Sequence, residues 1–208
     1  MAYPISRAIL IPLLKAVFIR KTKGLKNLQK LDKNAFIIAA NHASGLDPVF
    51  ISTVLIPIFN KKIHFFALRT FFRTFLLRII FKKWACCIEV NGGVEKAVEK
   101  LEKGEIVGIF PEGRRSYDGN LQKAHKGVAL LALKTGMPVL PIGIKGAFAI
   151  WPRQHNLPSL KKIIEINIGK PLYFRKSEKN KINRKILSSD TRKIMQKIAK
   201  LINQKYKY

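Results

Sequence analysis

The chain is short of acid. It carries 12 Asp+Glu against 40 Lys+Arg over 208 residues, a formal net charge of +28, so its partners are expected to be anionic: nucleic acid or an anionic lipid surface. A clear bilayer-spanning run is also missing. Spanning takes about 20 consecutive apolar residues. AILIPLL (8–14) and VFISTVLIPIF (49–59) are shorter, and the 64–84 stretch is broken by charge every few residues. A secretory leader is not expected, because Pro12 and Lys15 interrupt the N-terminal apolar stretch and no small-residue cleavage site follows. Cysteine is nearly absent. Cys86 and Cys87 are adjacent, which is neither zinc-ligand spacing nor a disulfide framework, and they read as reduced, buried strand residues of a cytoplasmic protein. No metal site, repeat, linker or low-complexity tract is expected. With 48% hydrophobic residues there is enough apolar side chain for a real core, which excludes disorder.

What is present is an alternation of strands and helices. AFIIAA (35–40), ACCIEV (85–90), EIVGIF (105–110), MPVLPIGI (137–144) and IIEINIG (163–169) read as strands. The helices are PVFISTVLIPIF from Pro48, GGVEKAVEKLEKG with its Glu/Lys pairs, QKAHKGVALLALKTG (122–136), and about 183–206. This predicts an α/β fold, a largely buried sheet flanked by helices, in one domain over 1–208. Its expected parts are an N-terminal helical segment at 1–22, an α/β core at 23–170 and a basic, largely helical tail at 171–208. In residues 1–20 the only charges are Arg7, Lys15 and Arg20, which suits short amphipathic helices in a membrane interface; the alternative is an ordinary core helix. HFFALRTFFRTFLLRIIFKKW (64–84) reads as an aromatic and basic helix. It fits either the lipid headgroup level or a core helix with a solvated basic stripe.

Two loops follow apolar strands. In NHASGLDP (41–48), a continuous helix would splay His42 and Asp47 by roughly 140°, so a working pair needs a turn. Gly45 is expected to supply positive φ and Pro48 the start of the next helix. A carboxylate on one imidazole nitrogen fixes the tautomer and makes the other nitrogen a general base for an alcohol attacking an acyl carbonyl. Asp47 also reads as a helix N-cap, and His42 as a satisfied polar residue beside the core. FPEGRRS (110–116) sets Glu112, Gly113, Arg114 and Arg115 on the second loop. Arginine forks suit phosphate, Gly113 permits close backbone approach, and Glu112 is expected to order an arginine or accept from a substrate hydroxyl. The alternative is a polar turn with solvated arginines. Ligands of such sheets bind beyond strand C-termini, so both loops are expected to converge on one cleft.

Together the segments resemble a known family. NHASGLDP is similar to the NHxSxxD signature of the glycerophospholipid acyltransferases, and FPEGRRS to their FPEGTRS block. HKGVALLALKTGMPVLPIGI resembles their lysine-glycine helix and proline-bearing strand, and KTKGLKNL (21–28) their lead-in; the similarity runs over roughly residues 15–148. It implies a glycerolipid-acyltransferase-like sheet. It also implies an enzyme of phospholipid biosynthesis on the cytoplasmic face of the cell membrane, peripheral or monotopic, with anionic lipid as a partner. The enzyme would move an acyl chain from a coenzyme A or acyl-carrier-protein thioester to a lysophospholipid hydroxyl, lysophosphatidic acid first, without a cofactor. His42 would be the base and Asp47 its partner. Ser44, Glu112, Gly113, Arg115 and Pro141 fall on motif positions and are expected to serve the substrate.

The chain departs from the pattern in two places. Arg114 replaces the usual threonine. In the second block Arg69 stands in for a lysine and Asn91 sits where an arginine is expected, so one phosphate contact is either lost or supplied by Arg114 or Arg73. His64, His125 and His155 lack a carboxylate at the first motif's spacing, so no catalysis is expected of them. Trp151 is expected to pack in the core or line an acyl pocket. Rival readings are an acyltransferase for another lysolipid or an amino-acid lipid, a thioesterase or lipase, and a non-enzymatic basic nucleic-acid- or membrane-binding protein. The hydrolases commonly need a nucleophile such as GxSxG, which is absent. The aromatics cluster with aliphatic runs rather than in an open basic groove, so nucleic acid is not the expected partner.

Overall fold

Every residue from Ala35 to Ala40 is buried, as a strand covered on both faces must be. The computed structural model describes residues 6–31, 35–67, 88–89, 93–178 and 181–208, and it sets this run in the middle of a seven-stranded sheet flanked by helices. In chain order the elements are α1 (Ile11–Phe18), β1 (Ile19–Lys23), β2 (Ile37–Ala40), α2 (Asp47–Phe59), β3 (Ile63–Ala67), β4 (Ile88–Glu89), α3 (Gly93–Glu102), β5 (Ile106–Ile109), α4 (Gly127–Thr135), β6 (Val139–Lys145), β7 (Ile164–Ile168) and α5 (Arg184–Ile202). A turn of π-helix, Ser6–Leu10, precedes α1, and 3₁₀ turns occur at Leu25–Lys30 and Ala147–Ala149.

The strand order is β1-β7-β6-β2-β5-β3-β4. β6, β2, β5, β3 and β4 run parallel. β7 is antiparallel to β6, and β1 is parallel to β7. The C-terminal ends of β2, β5 and β6 therefore share one edge of the sheet with the starts of β7 and β1.

Side chains alternate along each strand between two cores. Phe36, Ile38, Ala40, Leu140 and Ile142 pack with Phe18, Phe50, Ile51 and Leu55 of α1 and α2. Ile37, Ala39, Val107 and Val139 pack instead with Ala97, Leu101, Val128 and Leu131 of α3 and α4. The same core takes the apolar stripe of α5, Ile194, Met195, Ile198, Ala199 and Ile202, whose spacing puts them on one helix face. Asn183 starts α5 by accepting the N–H groups of Lys185 and Ile186, each at 3.0 Å.

The sheet changes three expectations. The helical segment expected over 1–22 ends at Phe18, because Ile19–Lys23 form β1 and satisfy the outer edge of β7. The helix expected from His64 is strand β3 as far as Ala67. Ile63, His64 and Phe65 are all buried beside β5, and His64 is paired with Glu105. The helix expected over 122–136 begins only at Gly127, since Gln122 and Ala124 give their N–H groups to Glu112 and Tyr206 instead. Arg69, Arg73, Cys86, Cys87 and Asn91 lie outside the described residues, as does most of the 64–84 stretch.

Candidate active site

β2 ends in Asn41 and His42. Asn41 is buried; its side chain donates to the Ile144 carbonyl (3.0 Å) and accepts the Ile144 N–H (2.7 Å). The carboxamide thus extends the β2–β6 ladder one step beyond the Ala40–Ile142 pair. The sequence signal for Asn41 is a carboxamide directly after a fully buried strand.

The chain then turns. Asp47 is fully buried and is the first residue of α2, but its carboxylate does not cap that helix. Oδ2 accepts the N–H groups of Ala43 and Ser44, both at 2.7 Å, and faces Nδ1 of His42 at 2.8 Å. An oxygen accepting two backbone N–H groups makes Nδ1 the donor, so the Nε2 lone pair is the one available for chemistry. The imidazole stacks on Phe110 with centroids 4.1 Å apart and planes 15° apart, and Phe110 stacks in turn on Phe65. The His42 side chain keeps 18% exposure, so the ring is braced yet reachable.

Ser44 is fully buried. Its N–H goes to Asp47 and its Oγ accepts the Leu46 N–H, so it builds the turn rather than facing a substrate. Gly45 is not at positive φ, contrary to expectation. What requires glycine is space: a Cβ there would lie 2.8 Å from the Trp151 ring. Trp151 therefore braces the His–Asp turn, and its carbonyl accepts the Gly45 N–H at 3.4 Å.

β5 pairs with β2, so its outgoing loop meets the first. Glu112 is buried; Oε1 accepts the His42 N–H (2.9 Å) and Oε2 the Gln122 N–H (2.8 Å). Neither oxygen serves an arginine, so the expected ordering of Arg114 or Arg115 gives way to a clamp between the loops. Burial raises the Glu112 pKa to about 7; the two N–H bonds oppose that rise, and the nearby charges of Asp47 and Asp118 add to it. Ser116 completes the clamp by donating its N–H to the His42 carbonyl at 2.8 Å. Both backbone polar groups of His42 are thus held by the second loop.

Gly113 is left-handed (φ 70°), and a Cβ there would meet the His125 ring at 2.8 Å. The exposed Arg114 lies 5.7 Å from the Tyr117 ring centroid, and Arg153 lies 4.7 Å from the same ring. Arg115 is half-buried and has no hydrogen bond or ion pair among the described residues. An open cleft of about 560 Å³ runs beside this loop, lined among others by Glu112, Gly113, Arg114, Lys123 and His125. Pro141 is not brought to it. That residue is buried in mid-strand opposite Ala39, against Gly169, whose N–H it accepts at 2.9 Å. No group of three or more His, Cys, Asp or Glu among the described residues is placed to hold a metal ion.

Known proteins share this sequence pattern. The chain is 32% identical over 122 residues to the 1-acyl-sn-glycerol-3-phosphate acyltransferase of Borreliella burgdorferi, covering 57% of this chain and 48% of that one. It is 33% identical over 156 residues to the enzyme of that name from Cocos nucifera, covering 71% and 49%. It is 36% identical over 85 residues to the chloroplastic 1-acyl-sn-glycerol-3-phosphate acyltransferase BAT2 of Brassica napus, covering 41% and 25%. The chain thus spans half or less of the length of these curated relatives. Its fold is similar to the crystal structure of the 1-acyl-sn-glycerophosphate (LPA) acyltransferase PlsC from Thermotoga maritima, with a TM-score of 0.64 at 23% identity over 92% of this chain and 80% of that one. The Acyltransferase family model matches residues 19–145, which carry both loops and the His42–Asp47 pair, and the chain belongs to the Acyltransferase family.

Proposed function

We propose that the protein moves an acyl chain from an acyl thioester to the free hydroxyl of lysophosphatidic acid, making phosphatidic acid at the cytoplasmic face of a membrane. The observation that carries this reading is the His42 Nδ1–Asp47 Oδ2 contact at 2.8 Å, which leaves Nε2 as a base. Nε2 takes the proton of the acceptor hydroxyl as its oxygen attacks the thioester carbonyl. The tetrahedral intermediate collapses with cleavage of the C–S bond, and the proton passes from His42 to the departing thiolate sulfur. The products are an ester and a free thiol, and the route needs neither a serine nucleophile nor a cofactor. Asp47 holds the ring and stabilises the imidazolium.

Arg115, with Arg114 beside it, supplies cationic forks for the acceptor's phosphate. The names of the relatives support lysophosphatidic acid as that acceptor. Coenzyme A or an acyl-carrier protein carries the donor acyl chain. Attachment is peripheral or monotopic in this reading, supported by Ile9, Leu10 and Leu13, which are exposed near the N-terminus among basic residues. The test is a panel of lysolipid acceptors offered with both donor types and read by mass spectrometry. Phosphatidic acid is expected from lysophosphatidic acid, and none from His42→Ala. Free fatty acid as the main product, or preferred acylation of a lysolipid without a phosphomonoester, overturns it.

A further inference from the structure

The most exposed large apolar side chains among the described residues are not on α1. They are Leu157 and Leu160, at 80% and 76% exposure, on the irregular segment between the Ala147–Ala149 turn and β7. Arg153, Lys161 and Lys162 flank them and are exposed, and no acid occurs anywhere from residue 119 to 164. Exposed apolar side chains flanked by cations are the chemistry that enters a lipid headgroup layer.

Topology fixes where this segment sits. β6 is parallel to β2, and β7 is antiparallel to β6. The segment therefore leaves and re-enters the sheet at the edge that carries His42 and Glu112. β1 also starts at that edge, so α1 and the exposed Ile9, Leu10 and Leu13 connect to the sheet there. The segment is tied to both site loops. Gln154 Nε2 donates to the Tyr117 carbonyl at 2.8 Å, and Trp151 lies on Gly45. It is also tied to itself: Trp151 Nε1 donates to the His155 carbonyl, and the Ser159 N–H to the Ile150 carbonyl, each at 2.8 Å.

We infer that Leu157 and Leu160 insert into an anionic lipid surface and seat the sheet edge that carries His42 against it, so that a lysolipid acceptor enters from the bilayer without crossing water. A protein partner is the poorer fit, since two exposed leucines flanked by cations offer little of the extensive apolar area that a stable protein interface buries. The role of the seating rests on the proposed lipid acceptor; the membrane contact does not.

The test is the double variant Leu157→Ser/Leu160→Ser. Partition onto phosphatidylglycerol vesicles is measured in about 1 M salt, where a Debye length of about 3 Å leaves mainly the apolar part of binding. It should fall about tenfold, and kcat/KM for long-chain lysophosphatidic acid in vesicles should fall with it. Turnover of a short-chain acceptor below its micellar limit should not change. Unchanged partition overturns the inference. So does an equal loss with the soluble acceptor, which would make the leucines supports of the site. A wild-type dimer that the variant dissociates, seen by light scattering, also overturns it, because the leucines would then join two copies. If the wild type acylates no lysolipid while its partition still depends on the two leucines, the proposed function fails and the membrane contact stands.

Discussion

Glu112 holds the backbone N–H of His42 at 2.9 Å from 70 residues along the chain. Its other oxygen holds Gln122. Glu112→Gln keeps the shape but turns an amide N–H₂ onto one of two backbone donors. The variant should lose about 1–3 kcal/mol of stability, the cost of a buried donor left unsatisfied, and turnover should fall as His42 shifts. pH gives a second handle. The Glu112 pKa of about 7 lies above the ordinary 4.5, so within that window the folded chain holds a proton that the unfolded chain has released. Stability from this group is full below about pH 4.5 and is lost as pH rises through about 7. Urea midpoints of the wild type should fall across that range more steeply than those of Glu112→Gln. Parallel slopes would refute this.

His42 and Asp47 should separate in a stability assay. His42→Ala removes the base and should cost roughly 10²–10⁴ in rate while leaving vesicle binding intact. Asp47→Asn disturbs a buried acceptor of two N–H groups and of the imidazole. It should lose turnover and, in addition, about 1–3 kcal/mol of stability. Kinetics paired with thermal melts decide the matter; near-normal turnover by purified His42→Ala would sink the base assignment.

Gly45→Ala should destabilise by about 1–3 kcal/mol, because its Cβ overpacks against the indole. The backbone itself tolerates alanine there, since φ is not positive. Trp151→Leu should therefore recover part of the loss in the double variant. A double-mutant cycle on melting temperature measures the coupling, and strict additivity would mean that the two residues do not press on each other.

Arg115→Lys keeps the charge and loses the fork. It should raise KM for lysophosphatidic acid and lower kcat, because the hydroxyl must stay aligned with His42, and should leave the donor KM nearly unchanged. Arg114→Lys should show a smaller effect of the same kind. Steady-state kinetics with each substrate varied in turn makes the comparison. A rise confined to the donor KM would mean that the loop binds the thioester carrier instead.

Much of this arrangement is legible in the sequence because it rests on side-chain pattern. AFIIAA announces a doubly covered strand, and the positions of His42, Gly45 and Asp47 demand a turn. What stays hidden depends on partners that pattern does not encode. Glu112 binds backbone N–H groups, which carry no letter of their own, so its charge pointed to the adjacent arginines. Gly45 yields to a tryptophan remote in sequence, and that constraint looks the same as a conformational one. Ser44 and Pro141 match motif positions, yet both are sealed in packing. His64 to Ala67 sit in an aromatic run whose composition fits helix or strand; the ladder with β5 decides between them.

The change of strand direction between β6 and β7 gives the molecule two unlike rims. At the rim away from His42, α2, α3 and α4 hand over to β3, β5 and β6 through the left-handed residues Asn60, Gly104 and Gly136. None of these turns belongs to the two clamped loops or to the segment that carries Leu157 and Leu160. Engineering tolerance is therefore polarised. A reporter domain or an affinity handle spliced into a far-rim turn stands away from His42, although the Gly104 turn is tied to Lys61 and the Gly136 turn lies against Lys176, which leaves the exposed Asn60 turn as the first choice. The same insertion at the near rim would stand between His42 and the proposed lipid acceptor.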